Sequence, residues 1–146
     1  EKSNPMPNTT KRLLTHSVEF VVWAVKGKGW IFNSSDLRDL NPDRQKDGSP
    51  RMMRDVWVFP VVQGSERLRI GNGRALHPTQ KPLELVRRTI IASTKKGEVV
   101  LDPFMGSGTT AVAAKIEGRK WIGIEREKRY IRAAETRIKE TKVKKK

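Results

Sequence analysis

The sequence predicts an α/β fold built on a parallel sheet, and three observations carry that prediction. The second half alternates runs of helical and strand type in the order helix, strand, helix, strand, helix. Such alternation feeds parallel strands through helical crossovers. One strand-like run ends at Asp102 and passes directly into a turn containing Gly106 and Gly108, followed by small helix-compatible residues. In sheets of this kind a ligand site lies beyond the strand C-termini, where that turn falls.

The elements follow in order. Residues 18–25, VEFVVWAV, and 30–32, WIF, are rich in β-branched and aromatic residues and flank KGKG. They predict two strands joined by a glycine-containing turn. Residues 33–54, centred on NPDRQKDGSPR, predict a long irregular segment, a feature that in compact domains is functional or disordered. Residues 55–62, DVWVFPVV, predict a short strand, with Pro60 at an edge or an end. Residues 63–76 read as a loop. A helix starts near Pro82, a residue suited to a first turn, and Leu83, Val86 and Ile90 form an apolar stripe. The strand EVVLD comes next. After the glycine turn a helix runs from about Thr109 to Glu117, with Gly118 as its stop. The next strand is WIGIE, Trp121 to Glu125. A final helix from about Lys128 places Ile131, Ala134 and Ile138 on one face.

Composition narrows the class. A length of 146 residues suits one domain with a modest core. No apolar run approaches the roughly 20 residues that span a bilayer, so no membrane partner is expected. Residues 1–10 are polar and Pro-rich and carry no signal-peptide pattern; the chain does not open on Met, and a piece of a longer chain is expected. The lack of Cys removes disulfides and Cys-based metal sites; no metal is expected, and the cytoplasm is the expected compartment. Lys and Arg number 31 against 16 Asp and Glu, a net of +15 that points to a polyanionic partner, nucleic acid first. The last ten residues, RIKETKVKKK, hold six basic residues and one acid, so +5 of that charge falls in a tail expected to fray.

Gly106 to Ala111 fits G-x-G-x-x-A, and Glu125 ends the following strand 23 residues after Asp102. An acid so placed can accept hydrogen bonds from ribose hydroxyls, which keeps a dinucleotide site in play. Asp102 argues against it. A pyrophosphate at a helix N-terminus wants positive potential, and Asp102 adds negative potential there. S-adenosylmethionine, with an ammonium, a sulfonium and a ribose diol, suits two acids better. A P-loop lacks its Lys. The cofactor reading, the dinucleotide reading and a purely structural turn all remain open at this level.

LDPFMGSGTTAVAA at 101–114, HPTQKP at 77–82 and WIGIE at 121–125 resemble the DNA amino-methyltransferases of restriction–modification systems. The likeness is to the group in which the catalytic motif precedes the target-recognition region and the cofactor motifs. NPMPN at 4–8, THSVEFVVWAVKG at 15–27, RDVWVFPVV and SERL extend it over nearly the whole chain. The resemblance implies a Rossmann-like S-adenosylmethionine-dependent methyltransferase fold, incomplete in this chain, acting on double-stranded DNA at adenine N6 first and cytosine N4 second. It implies a cofactor loop of Asp102, Pro103, Phe104, Gly106, Gly108 and Thr109, with Glu125 on the ribose. Thr79, Gln80, Lys81 and Pro82 are placed near the methionine end, where Lys81 and helix N–H groups can meet the cofactor's carboxylate. His77 is expected to be a loop histidine without a chemical role. His16 and Glu19 match a His-x-x-Glu of the family and are read as structural or base-pocket contacts; Trp30 and Trp57 are weak candidates for DNA contact. Target recognition falls at 33–76, with Arg38, Arg44, Lys46, Arg51 and Arg54 as the DNA-contacting residues. Residues 1–32 then end the catalytic-side strands, 77–138 form the cofactor region and 139–146 the basic tail.

The family frees the amine lone pair with an Asp/Asn/Ser-Pro-Pro-aromatic motif acting on a flipped base. This sequence holds no Pro-Pro pair, since Met6 separates Pro5 from Pro7. No catalytic residue is therefore assigned to this chain. A catalytic segment N-terminal to it, in the same polypeptide or as a second subunit, is the expected partner; the alternative is a basic DNA-binding remnant without activity.

Overall fold

The computed structural model describes residues 1–10 and 12–143. Helix α1 spans Ser34–Asp39, a single 3-10 turn spans Gly64–Glu66, and the α/β part runs α2 (Leu83–Ser93), β1 (Val99–Asp102), α3 (Thr109–Ile116), β2 (Lys120–Gly123) and α4 (Lys128–Glu140). The strands β1 and β2 pair in parallel, from Val99 opposite Lys120 to Asp102 opposite Gly123. Helix α3 is the crossover, as the alternating sequence requires.

The core sits where α2 crosses α3. Ile90, Ala113 and Ala114 are buried together, with Leu83, Val86 and Val100 packed against them. The stripe expected on the helix after Pro82 therefore is the face that α2 buries. The alanines let α3 lie close to α2 and to the sheet. Along β1 the pleat sends Val100 inward, while Val99 and Leu101 remain exposed on the other face.

Five expectations need correction. Residues 18–25 and 30–32 are not strands: the backbone forms no ladder there, and Phe20 and Val22 are 89% and 87% exposed. Their β-branched and aromatic content favours an extended chain, yet a strand also needs a ladder partner, and none of the described residues supplies one. Trp23 and Phe32 still stack across the turn at 5.0 Å. Residues 55–62 likewise make only an isolated bridge, Lys2 opposite Phe59. The segment 33–54 is not wholly irregular, because α1 forms within it and buries Leu37. Finally, β2 stops at Gly123, so Glu125 lies beyond the strand, and α4 runs to Glu140, so Arg137 and Lys139 are helical rather than frayed. Residues 144–146 of the expected basic tail lie outside the described residues.

Asn33 joins the two halves. Its N–H donates to Ala92 O at 2.9 Å, and its Nδ2 donates to Ile91 O and Thr94 O at 2.7 and 2.9 Å. These are carbonyls at the end of α2 that have no partner within the helix. No helix among the described residues is long and apolar enough to cross a membrane.

Candidate functional site

The turn after β1 is shaped by backbone demands that only glycine meets. Gly106 and Gly108 have φ of 53° and 78°, in the left-handed region. A Cβ on Gly108 would stand 2.8 Å from Cβ of Ala134, so α4 packs directly on the turn; one on Gly106 would stand 2.9 Å from Nε2 of His77. Asp102 starts the turn by accepting the N–H of Phe104 on Oδ1 at 3.0 Å, an Asx turn. Met105 donates to Ile124 O at 2.9 Å and ties the turn to the chain leaving β2.

Glu125 is fastened to the same turn. Its Oε2 accepts from the N–H of Gly106 at 2.8 Å, and its Oε1 accepts from the N–H groups of Arg126 and Glu127 at 2.8 and 2.9 Å. The N–H of Glu127, then those of Gly106 and Arg126, with the nearby His77 charge, hold its carboxyl below the usual range. The acid is thus ionised and oriented at the edge of the turn. Phe104 is 88% exposed and leaves its ring bare beside the two carboxylates.

The structure brings Asp102, Pro103, Phe104, Gly106, Gly108, Thr109 and Glu125 together in one turn, and Thr79 joins it through His77. The N–H of Thr79 lies 3.3 Å from Nδ1 of His77, whose ring rests against Gly106 and against Tyr130 at 4.6 Å between centroids. His77 thereby fills the space that the missing side chain of Gly106 leaves. Gln80 turns away from the turn: it is buried, accepts the N–H of Leu68 on Oε1 and donates from Nε2 to Glu66 O. Pro82 stands at the N-cap position of α2, and the N–H of Leu83 is taken by Glu66 Oε1 at 2.6 Å. Lys81 pairs with Glu19, 2.8 Å from Nζ to Oε2, while Lys2 holds the other carboxylate oxygen. The two ammonium groups, Lys2 first, pull the Glu19 carboxyl down to about 2.

Two residues escaped the reading from sequence. Arg137 donates from Nη1 to Thr109 Oγ1 at 2.9 Å and so ties α4 to the start of α3; burial pulls its pKa down. Glu66 caps α2 from a distant loop. Nothing in their local sequence signals either role, since the partner of each lies far along the chain.

The region 33–76 presents a turn with a cationic rim. Residues 43–51 form a hairpin around Asp47 and Gly48, closed by a bridge between Arg44 and Pro50. Buried Asn41 anchors its base, donating from Nδ2 to Arg51 O and Met52 O. Arg44 bends back onto the carbonyls of Asn41 and Asp43, and Arg51 donates from Nε to Arg44 O at 2.9 Å. Arg54 stands 3.8 Å from Asp43. Arg38 and Lys46 are exposed and make no side-chain hydrogen bond or ion pair among the described residues. Trp57 holds the Arg88 guanidinium over its ring at 5.0 Å, and Trp30 is exposed. His16 is exposed as well.

Comparison with known proteins gives a consistent result. The family described as DNA methylase, of the N6/N4 type, matches residues 1–136. The chain is 42% identical over 141 residues to the type II methyltransferase M2.DpnII of Streptococcus pneumoniae, covering 94% of this chain and 48% of that protein. It is 40% identical over 143 residues to the type II methyltransferase M.HinfI of Haemophilus influenzae, covering 97% and 38%. The chain therefore spans about half the length, or less, of these relatives. Among solved structures, the M1.HpyAVI complex with S-adenosylmethionine superposes with a TM-score of 0.69 at 38% identity, covering 94% of this chain and 58% of that one.

Proposed function

The chain belongs to the N6/N4 DNA methylase family, and from that premise we propose that it supplies the cofactor-binding and DNA-contacting part of a site-specific DNA methyltransferase. The reaction moves a methyl group from S-adenosylmethionine to an exocyclic amine, adenine N6 or cytosine N4. The observation that carries this reading is the turn from Asp102 to Thr109. With Glu125 fastened to it, the turn presents two carboxylates and the exposed ring of Phe104, on glycine backbone packed against His77 and Ala134. The pyrophosphate of a dinucleotide would meet Asp102 and Glu125 as like charges; an ammonium and a ribose diol meet them as partners.

The residues present fit that cofactor. Asp102, oriented by its Asx turn, would hold the ammonium. Glu125, fixed by three N–H groups, has about one of its four lone-pair directions left for a ribose hydroxyl. The exposed Phe104 would lie against the adenine, and Lys81 would hold the carboxylate at the methionine end. When bound, the cofactor supplies an electrophilic methyl on a sulfonium. What this chain's residues do is hold that end in place and neutralise its charges.

Arg38, Lys46 and Arg54 are the DNA-contacting residues best placed to reach phosphates, since Arg44 and Arg51 already serve the hairpin backbone. Activation of the amine falls to a partner segment carrying a Pro-Pro motif, in the same polypeptide or a second subunit, because this sequence has no such pair. The 146-residue chain alone is expected to transfer no tritiated methyl group to mixed-sequence DNA, and addition of that segment is expected to restore transfer. Turnover by the chain alone would place catalysis within it and overturn the division of labour. Calorimetry with S-adenosylmethionine and with NAD tests the cofactor; preference for NAD ends the reading.

A further inference from the structure

The sequence reading makes Glu19 a structural or base-pocket residue. In the fold it does something more specific. It joins three stretches far apart in sequence, with Nζ of Lys2 2.8 Å from Oε1 and Nζ of Lys81 2.8 Å from Oε2, the latter across 62 residues. The backbone supports the arrangement, because the N–H of Lys2 donates to Ser17 O at 2.7 Å and that of Ser3 to Phe59 O at 3.1 Å. Two lysines and one carboxylate leave the cluster with a net charge of +1. Each ammonium has three donors and gives one to Glu19, so both keep donors for another acceptor. Two ammonium groups this close repel one another and separate into solvent on their flexible stems unless an anion holds them.

We propose that Glu19 is a positioning residue for cofactor binding: it holds Lys81, with Lys2 beside it, so that two cations converge on the carboxylate of an amino-acid-type ligand. This rests on the reading above that Lys81 meets the cofactor's carboxylate. Lys2 is then a second contact for that group.

The test compares S-adenosylmethionine with its decarboxylated analogue, which keeps the sulfonium, the ammonium and the nucleoside but lacks the carboxylate. Binding is measured by calorimetry on the full chain with its partner segment. Glu19→Gln is expected to weaken S-adenosylmethionine by about two- to fivefold, the range of a surface ion pair, and to leave the analogue unchanged. In a Lys2→Ala, Lys81→Ala background the same substitution should add nothing, because Glu19 acts through those two lysines. Equal weakening of both ligands, which marks a merely structural role, overturns the proposal. So do unchanged affinity and a gain in affinity; the gain would show Glu19 competing with the ligand for Lys81. Failure of Lys81→Ala to distinguish the two ligands, or no binding by the wild type, overturns the underlying assignment of Lys81 instead.

Discussion

The stretch from α2 to α4 and the stretch from Val18 to Phe32 meet the same problem, an extended apolar run that needs neighbours, with opposite results. In the first, β1 meets β2 across a single helix, and α2 and α3 cover Val100 and bury Ile90, Ala113 and Ala114. In the second, the apolar side chains lie open and the backbone finds no ladder. The difference teaches that a parallel strand–helix–strand unit completes one face of itself from residues close in sequence. A strand whose neighbours are remote completes nothing by local means.

The comparison breaks first at Gly108. If α4 truly seals the turn, Gly108→Val must force a left-handed backbone on a branched residue and drive it into Ala134. A loss of about 2–5 kcal/mol is expected from the overpacking and the strain together, read as the shift of a urea unfolding midpoint. A loss under about 1 kcal/mol would mean that the turn and α4 are not locked.

The next effect concerns the ligand rather than the fold. Asp102→Ala and Glu125→Ala should each weaken S-adenosylmethionine by about 10- to 150-fold, the loss of one charge-assisted hydrogen bond worth about 1.5–3 kcal/mol. Glu125→Ala also removes the acceptor for three backbone N–H groups, against one for Asp102→Ala, so its effect on stability should be the larger. Unchanged affinity in both folded variants removes the carboxylates from the cofactor site.

Between the two regions stands Asn33. Asn33→Ala leaves the carbonyls of Ile91 and Thr94 without their side-chain donor and is expected to cost about 1–2 kcal/mol. In the exposed run, by contrast, Phe20→Ser and Val22→Thr should change stability by less than about 0.5 kcal/mol in this chain alone. If the same substitutions prove costly once a partner segment is supplied, that segment covers the run and the contrast between the regions is an effect of context.

Two smaller effects sharpen the picture. Neutralising Arg38, Lys46 or Arg54 should flatten the salt dependence of DNA affinity by about 0.9 per phosphate contact, while Arg44→Ala should not. Identical slopes in all of them would reject the 33–54 segment as a DNA surface. The carboxyl of Glu19 should titrate near 2 in the folded chain against an ordinary 4.5, followed by carbon-13 NMR. Its pKa is depressed, so the ion pairs' contribution is present above pH 4.5 and fades as pH falls from there through about 2. A midpoint near 4.5 would show that the lysines do not hold it.

The sequence by itself determined the α/β class, the order of the last five elements, the apolar stripe of α2 and the glycine turn with its acid. Each of these is written in residues a few positions apart: a helical period, a pair of glycines, an aspartate closing a β-branched run. It also placed Asp102 and Glu125 near each other, because a single crossover helix brings consecutive parallel strands side by side. Only the tertiary structure decided which extended runs become strands, that Gln80 faces the 64–68 loop, that Glu66 caps α2, that Arg137 is tied to Thr109 and that Lys81 lies against Glu19. The physical reason is common to all of these. A ladder partner, a distant cap or an ion pair is a property of two stretches brought together by folding. Local composition sets how a stretch prefers to extend or coil, and it carries no record of what will stand opposite.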